Sequence, residues 1–219
     1  MQTTTCYGEP PVTGLLPVNP ADLGAPLDWR RSVPILTGGG ISLRELCRTD
    51  ASSLATMLSA AEVSRFMSTP PTTCEAFERF IAWSQRERIE GRHVCFAIVR
   101  EDLEPPIGLV QIRQLAPDFS TAEWGFALGR PFWGTGAFES AARLAIEFAF
   151  EALGVLRLEA RAAVSNGRGN GALAKLGATK VGVLRRSFFK DGHYDDQAIW
   201  SIVRDRWREA NVVWGAIVH

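Results

Sequence analysis

The stretch from Thr121 to Ala163 restricts the architecture more than any other part of this chain. Between Gly136 and Leu153 a charge falls at every fourth position, at Glu139, Arg143, Glu147 and Glu151, while Phe138, Leu144, Ile146, Phe148, Phe150 and Leu153 cover most of the remaining circumference. A helix built this way shows water one narrow stripe and has to bury the rest. Gly154 ends it, and the following LRLEARA alternates Leu156, Leu158, Ala160 and Ala162 with Arg157, Glu159 and Arg161, as a strand with unlike faces does. Thr121 to Leu128 reads as a strand ahead of the helix. Strand, glycine loop, helix and strand make a βαβ unit, which places two parallel strands in the sheet.

The flanks add antiparallel strands. Val94 to Val99 and Ile107 to Leu115 are strand-like runs separated by a turn at Pro105 and Pro106, and Lys190, Asp191 and Gly192 separate Val181 to Phe188 from Gln197 to Val203 as a hairpin. Ahead of them, ISLREL after Gly38, Gly39 and Gly40 reads as a short strand, with Thr49 or Asp50 capping a helix through Ala61. A second helix is expected from Thr73 to about Glu90, with Phe77, Phe80, Ile81 and Ile89 inward and Gly91 as its stop, and a shorter one around Asn170 to Leu176 ending at Gly177. The expected fold is α/β (α+β): one mixed, twisted sheet of about six to seven strands with about four helices. Six of the 12 prolines fall in the first 34 positions, so residues 1–40 read as an extended strap, 41–204 as the domain and 205–219 as a tail. The strap and the apolar tail NVVWGAIV are candidate covers for a second subunit, which makes a homodimer a candidate assembly.

Composition removes several functions. Twenty-four Lys plus Arg balance 24 Asp plus Glu, so no whole-protein field gathers nucleic acid or anionic lipid. No apolar run is long enough to span a membrane and the first residues lack a secretory pattern, so the expectation is a cytosolic protein. The four cysteines form no CxxC pair and the three histidines no HExxH, so no metal is expected.

The loop GRPFWGTGAFES joins strand to helix, where exposed backbone donors and the positive helix end favour an anion. It is not a P-loop, because Thr135 stands where the lysine is needed, nor a dinucleotide fingerprint, because Glu139 stands where a third glycine is needed. Taken with NGRGNGALAKLGA downstream, it resembles the GCN5-related N-acetyltransferases, in particular the branch that contains ribosomal-protein N-terminal acetyltransferases. The resemblance covers about residues 41–204. Trp133, Gly134, Thr135 and Gly136 match the WGxG form of the family's coenzyme A loop. Asn166, Gly169, Leu173, Lys175 and Gly177 align with NxxSxxxLxKxG, and Gly192, Tyr194, Asp196 and Trp200 with its GxYxDxxxW ending. The serine of NxxS is Gly169 here, so the hydroxyl that would protonate a departing thiolate is missing, and Gly169→Ser is expected to be tolerated.

The resemblance implies acetyl-CoA as co-substrate, held by the loop from Trp133 through Gly134, Thr135, Gly136 and Ala137 to Phe138. It also implies that backbone amides around Leu128, on a strand splayed from its neighbour, meet the developing oxyanion, and that Asn166 holds the pantetheine arm. Arg130 and Arg168 flank the channel as candidate phosphate partners. Glu123 in AEWGFAL is the candidate base for the incoming amine, with a solvated strand edge as its alternative. Tyr194 and Asp196 are candidate acceptor contacts, Tyr194 or Ser165 candidate thiolate donors, and the acidic group Asp191, Asp195 and Asp196 a candidate lure for a cationic acceptor. Trp124 and Trp133 read as core or cleft wall rather than as stacking platforms. The expected activity is transfer of acetyl to a primary amine, with a protein or peptide N-terminus ahead of a small-molecule amine such as an aminoglycoside or polyamine. A non-catalytic acetyl-CoA-binding protein is the reading from another class.

Overall fold

The structure, a computed structural model, describes residues 28–67 and 70–215. One eight-stranded sheet runs β1 (Leu36–Gly38), β2 (Ile41–Glu45), β3 (His93–Arg100), β4 (Gly108–Gln114), β5 (Thr121–Leu128), β6 (Arg157–Ala163), β8 (His193–Val203), β7 (Thr179–Lys190). Every neighbouring pair is antiparallel except β5 with β6, as the βαβ unit requires. The helices are α1 (Ala51–Leu58), α2 (Ala61–Ser64), α3 (Cys74–Ile89), α4 (Ala137–Glu151), α5 (Gly167–Lys175) and α6 (Arg204–Gly215). Strands and helices thus exceed the expected numbers while the class holds. The extra strand β1 lies in the proline-rich segment, where Trp29 is buried edge-on against Phe119 with ring centroids 5.5 Å apart. The rest of the strap, residues 1–27, lies outside the described residues, as do the last four of the tail.

Strand alternation divides the apolar side chains between two cores. Val94, Phe96 and Ile98 of β3 join Trp124 and Leu128 of β5 and the alanine-rich face of α4, while Cys95, Ala97 and Val99 join Leu109, Ala127 and the inner faces of α1 and α3. α4 conforms to its sequence pattern: Ala141, Ala142, Ala145, Ile146, Phe148 and Ala149 are buried, and Glu139 and Arg143 pair outside at 3.0 Å. α3 begins where Thr73 accepts the N–H of Ala76 at 3.2 Å.

Three expectations need correction. Ile89 is 61% exposed, because Phe77, Ile81, Ser84 and Arg88 already fill the buried stripe and Ile89 falls about 100° past Arg88. Arg88 goes inward instead, donating from Nε to Glu45 at 2.7 Å and from Nη1 to the carbonyls of Trp29 and Arg30. The helix expected to run through Ala61 ends at Leu58 and restarts at Ala61; Asp50 stands at the N-cap of α1 as expected, but its carboxylate accepts from Arg44 and from Cys47 N–H, at 2.7 and 2.8 Å to Oδ2, rather than from the helix. α5 starts at Gly167, three residues early, with Asn166 as its cap.

His93 opens β3, with Nδ1 3.3 Å from the Ser84 hydroxyl, Nε2 3.2 Å from Gln111 Oε1 and its ring against Trp83. Burial disfavours the imidazolium and pushes the ring below its ordinary value, against a smaller opposing effect of the Gln111 bond. Below about pH 6.5 the unfolded chain takes up a proton that the folded chain refuses, so stability falls as pH drops through that window. His93→Gln keeps a polar partner there without the titration. It should flatten the acid side of the melting-temperature curve between about pH 6.5 and 5, and an unchanged slope would assign that sensitivity to other groups.

Candidate functional site

β5 and β6 pair over only three residues, Thr121 with Arg157, Ala122 with Leu158 and Glu123 with Glu159, and then part. Their other edges fix what the gap contains. Gly129 N–H donates to the Ile107 carbonyl at 2.8 Å while Leu128 lies opposite Gly108, so the backbone groups of Leu128, and of Phe126 two residues earlier, point away from β4 into the gap. On the other wall Val164 N–H donates to the Asp196 carbonyl at 2.8 Å with Ala163 opposite Gln197, which turns the backbone groups of Ala163 and Arg161 inward. Trp133 Nε1 donates to the Leu128 carbonyl at 2.8 Å. Leu128 N–H is left facing the cleft. The splay of the strands and this N–H therefore fall at the same place. A further buried donor, Trp124 Nε1, has no partner among the described residues.

Past the strand end the chain makes a short 3-10 turn, Arg130–Phe132, and then the glycine loop. Gly134 and Gly136 hold φ of 77° and 87°, a region that side chains with a Cβ avoid, and a Cβ on either would meet nothing within 4 Å. The loop is open to solvent over Gly134, Thr135 and Gly136. Ser140 N–H is the first to close a helical bond, onto Gly136 at 3.1 Å, so α4 presents its earlier N–H groups at the mouth of the gap. The Thr135 hydroxyl is spent locally, donating to the Phe132 carbonyl at 2.8 Å and standing 3.4 Å from Ala137 N–H. Phe138 packs on Phe126 with centroids 4.2 Å apart, which anchors the helix start to β5.

Across the gap, Asn166 Oδ1 accepts Gly169 N–H at 2.9 Å, and its amide nitrogen has no partner among the described residues. Asn170, which the sequence suggests only as a helix start, fixes this turn: Nδ2 donates to the Ala163 and Asn166 carbonyls at 2.8 Å each, and Oδ1 accepts Trp200 Nε1 at 2.9 Å. Its place four residues after a helix cap was the available signal. The Arg168 guanidinium lies 4.6 Å from the Trp133 ring centroid, so the two walls touch over the loop. Arg130 turns the other way, onto Glu62 at 2.7 Å.

Glu123 sits at the throat, on the last paired rung. Its side chain is 18% exposed, with Arg113 Nη2 at 2.5 Å and Arg161 Nε at 4.0 Å, both on Oε2, which leaves Oε1 free among the described residues. The acceptor candidates Tyr194 and Asp196 lie on β8, in the hairpin next to β6. Tyr194 stacks on Phe189 at 4.8 Å and is 64% exposed. Asp196 accepts Arg186 N–H and Arg185 Nη1, both at 2.8 Å, across the bulge where Arg186 has φ 48°, and those contacts hold its carboxyl below the usual range. Asp195 receives the Ser165 hydroxyl. Two carboxylates of the suggested acidic lure are thus engaged within the fold. Lys190 at the hairpin tip reaches across to α2, donating to the Ser64 and Met67 carbonyls at 3.2 and 3.1 Å.

A mixed sheet parted between two parallel strands, with backbone N–H groups in the gap and an unpaired helix start at its mouth, suits an extended ligand that carries an anionic group. Residues 41–179 match the family described as Acetyltransferase (GNAT) domain. The Bacillus subtilis protein YoaA, named an uncharacterized N-acetyltransferase, is 29% identical over 176 residues, 79% of this chain and 98% of that one. RimJ of Mycobacterium smegmatis, solved with CoA-disulfide, superposes with a TM-score of 0.71 at 20% identity, over 80% of this chain and 89% of that one. The ribosomal-protein-S5-alanine acetyltransferase of Vibrio fischeri gives 0.71 at 19%, over 80% and 99%. The chain belongs to the GNAT family: it is an acyltransferase, an acetyl-CoA-dependent N-acetyltransferase.

The turn at Asn166 gives a stability test. A Cβ on Gly169 would stand 2.6 Å from Asn166 Nδ2, whereas one on Gly171 meets nothing. The tolerance expected of Gly169→Ser therefore comes with displacement of Asn166. Gly171→Ala should raise stability by about 0.5–1 kcal/mol, as helical glycines do, while Gly169→Ala should gain nothing because a cap worth about 1 kcal/mol is disturbed. Thermal or urea unfolding of the two variants measures the difference, and equal gains would mean that Asn166 reseats freely.

Proposed function

We propose that this enzyme acetylates the α-amino group of a protein or peptide, with Glu123 as the group that relieves the incoming ammonium of its proton. The observation that carries this reading is the position of Glu123: a reachable carboxylate with a free Oε1 on the last rung before the strands part. The gap fits the donor by chemistry. A pantetheine arm carries amides, and the gap offers the backbone groups of Phe126, the N–H of Leu128 and the Asn166 amide nitrogen. A pyrophosphate matches the amides from Gly134 to Phe138 at the start of α4. Arg168 reaches a phosphate by leaving Trp133, and Arg130 by leaving Glu62.

The thioester supplies an acyl carbon open to attack and a thiol leaving group. The residues of this chain do the rest. Glu123 Oε1 takes one proton from the ammonium, directly or through water, and leaves the nitrogen lone pair free. As the nitrogen bonds to the acyl carbon and the carbon–sulfur bond breaks, Leu128 N–H faces the oxygen that gains charge. The second amine proton leaves to solvent, and with glycine at 169 the departing thiolate takes its proton from water. An α-amine near pKa 7.8 costs about 1 kcal/mol to deprotonate at neutral pH, against about 4.6 kcal/mol for a lysine-type amine, so a single carboxylate suits the former. That difference supports a peptide N-terminus over a polyamine.

Glu123→Gln should lower turnover by about 10²- to 10⁴-fold near neutral pH, with much of the loss recovered toward pH 9 as free amine accumulates. Thiol release from acetyl-CoA with a peptide acceptor, followed from pH 6 to 9, measures it; wild-type rates at pH 6.5 would remove Glu123 from the mechanism. For the donor, Gly136→Val should weaken coenzyme A binding by at least about tenfold, as read by calorimetry. Gly154→Val places the same strain at φ 74° beyond the far end of α4 and serves as control. Equal affinities in the two variants would move the phosphate site elsewhere.

A further inference from the structure

In the half of the sheet beyond α1 and α3, no helix among the described residues packs on one face. Strand alternation puts Arg113 of β4, Glu123 of β5, Glu159 and Arg161 of β6, and Gln197 of β8 on that face, level with the throat of the gap. Three guanidinium groups, those of Arg113, Arg157 and Arg161, share it with the carboxylates of Glu123, Glu159 and Asp195. Two of the three are satisfied: Arg113 lies 2.5 Å from Glu123, and Arg157 lies 2.8 Å from Glu159. Arg161 is not. Its nearest carboxylate oxygen is 4.0 Å from Nε, too far for a hydrogen bond, and its side chain is 37% exposed with no other partner among the described residues.

An unsatisfied guanidinium beside the carboxylate that receives the amine is costly for a purely cationic acceptor and favourable for one that brings its own negative charge. We propose that Arg161 is the specificity-determining residue of this enzyme, binding a carboxylate that the acceptor carries within about two to four bonds of its amine. This rests on the reading of the protein as an α-amine acetyltransferase. The spacing sets the bond count, because the Arg161 and Glu123 groups are 4.0 Å apart and one acceptor has to serve both. Two sources meet the requirement: an aspartyl or glutamyl residue at a peptide N-terminus, and the α-carboxylate of a free amino acid. Glu159 does not cancel the effect, since it is held by Arg157, and Asp195 on the same face of β8 is held by Ser165.

The test is a ratio of kcat/KM values within matched pairs. One pair is a peptide beginning with Asp against the same peptide beginning with Asn, and the other is free alanine against alaninamide. The wild type should favour the acidic member of at least one pair by about tenfold or more, chiefly through KM, and the pair that shows it identifies the source. Arg161→Gln should bring that ratio close to one, Arg161→Glu should invert it, and Arg161→Lys should keep part of it. A merely structural role would lower both members of a pair equally and leave the ratio intact, which would overturn the proposal. Wild-type ratios near one in both pairs, with turnover present, would overturn it while leaving the acetyltransferase reading in place. Absence of turnover with every acceptor would overturn the α-amine reading and this inference together.

Discussion

The parting of β5 from β6 after three rungs governs the rest of the molecule. A parallel pair that continued would satisfy Phe126, Leu128, Arg161 and Ala163 against each other and leave no place for a substrate. Because it stops, each wall needs its own support, and each has one on its far side: β5 through its seven-residue register with β4, β6 through its seven-residue register with β8. The carbonyls that would still be bare at the parted ends are taken by side chains, Leu128 by Trp133 and Ala163 by Asn170. What remains unpaired is chiefly N–H, and a gap lined with donors is suited to a carbonyl-rich ligand.

That arrangement explains why glycines concentrate where they do. The loop after β5 has to reverse and enter α4 without covering the gap, and Gly134 and Gly136 do this at positive φ with nothing around them to pack against. The charged throat lies at the opposite end of the parted segment. The two roles proposed here, phosphate binding at the loop and proton transfer at Glu123, are thus separated along β5 by the residues from Trp124 to Leu128.

Much of this was legible in the sequence wherever periodicity was strong. The α4 stripe, the β5 limits and the antiparallel β3–β4 pair follow from burial patterns that local residues dictate. At Ile89 hydrophobicity alone does not bring burial; the stripe belongs to Arg88, whose partners Glu45, Trp29 and Arg30 lie more than 40 residues away in sequence. The short connection between α1 and α2, and the early start of α5 through Gly167 and Gly169, depend on capping contacts that no periodicity carries. Among the candidate site residues, the loop and Asn166 stand out in the sequence because a turn at positive φ and a helix cap need particular residue types at fixed spacing. Arg113 and Arg161 do not, because their meeting at Glu123 depends on the strand order.

Lys190 has a mechanical consequence. The hairpin of β7 and β8 is a long lever rooted beside β6, and its tip is tied by one ammonium group to the carbonyls at the end of α2, on the opposite half of the molecule. With the paired rungs at one end and the Arg168–Trp133 contact over the loop, the two halves are braced at three separate points. A gap framed in this way keeps its width without a ligand inside it. Donor binding then spends none of its free energy on prying strands apart, and the hairpin stays aligned when the product leaves.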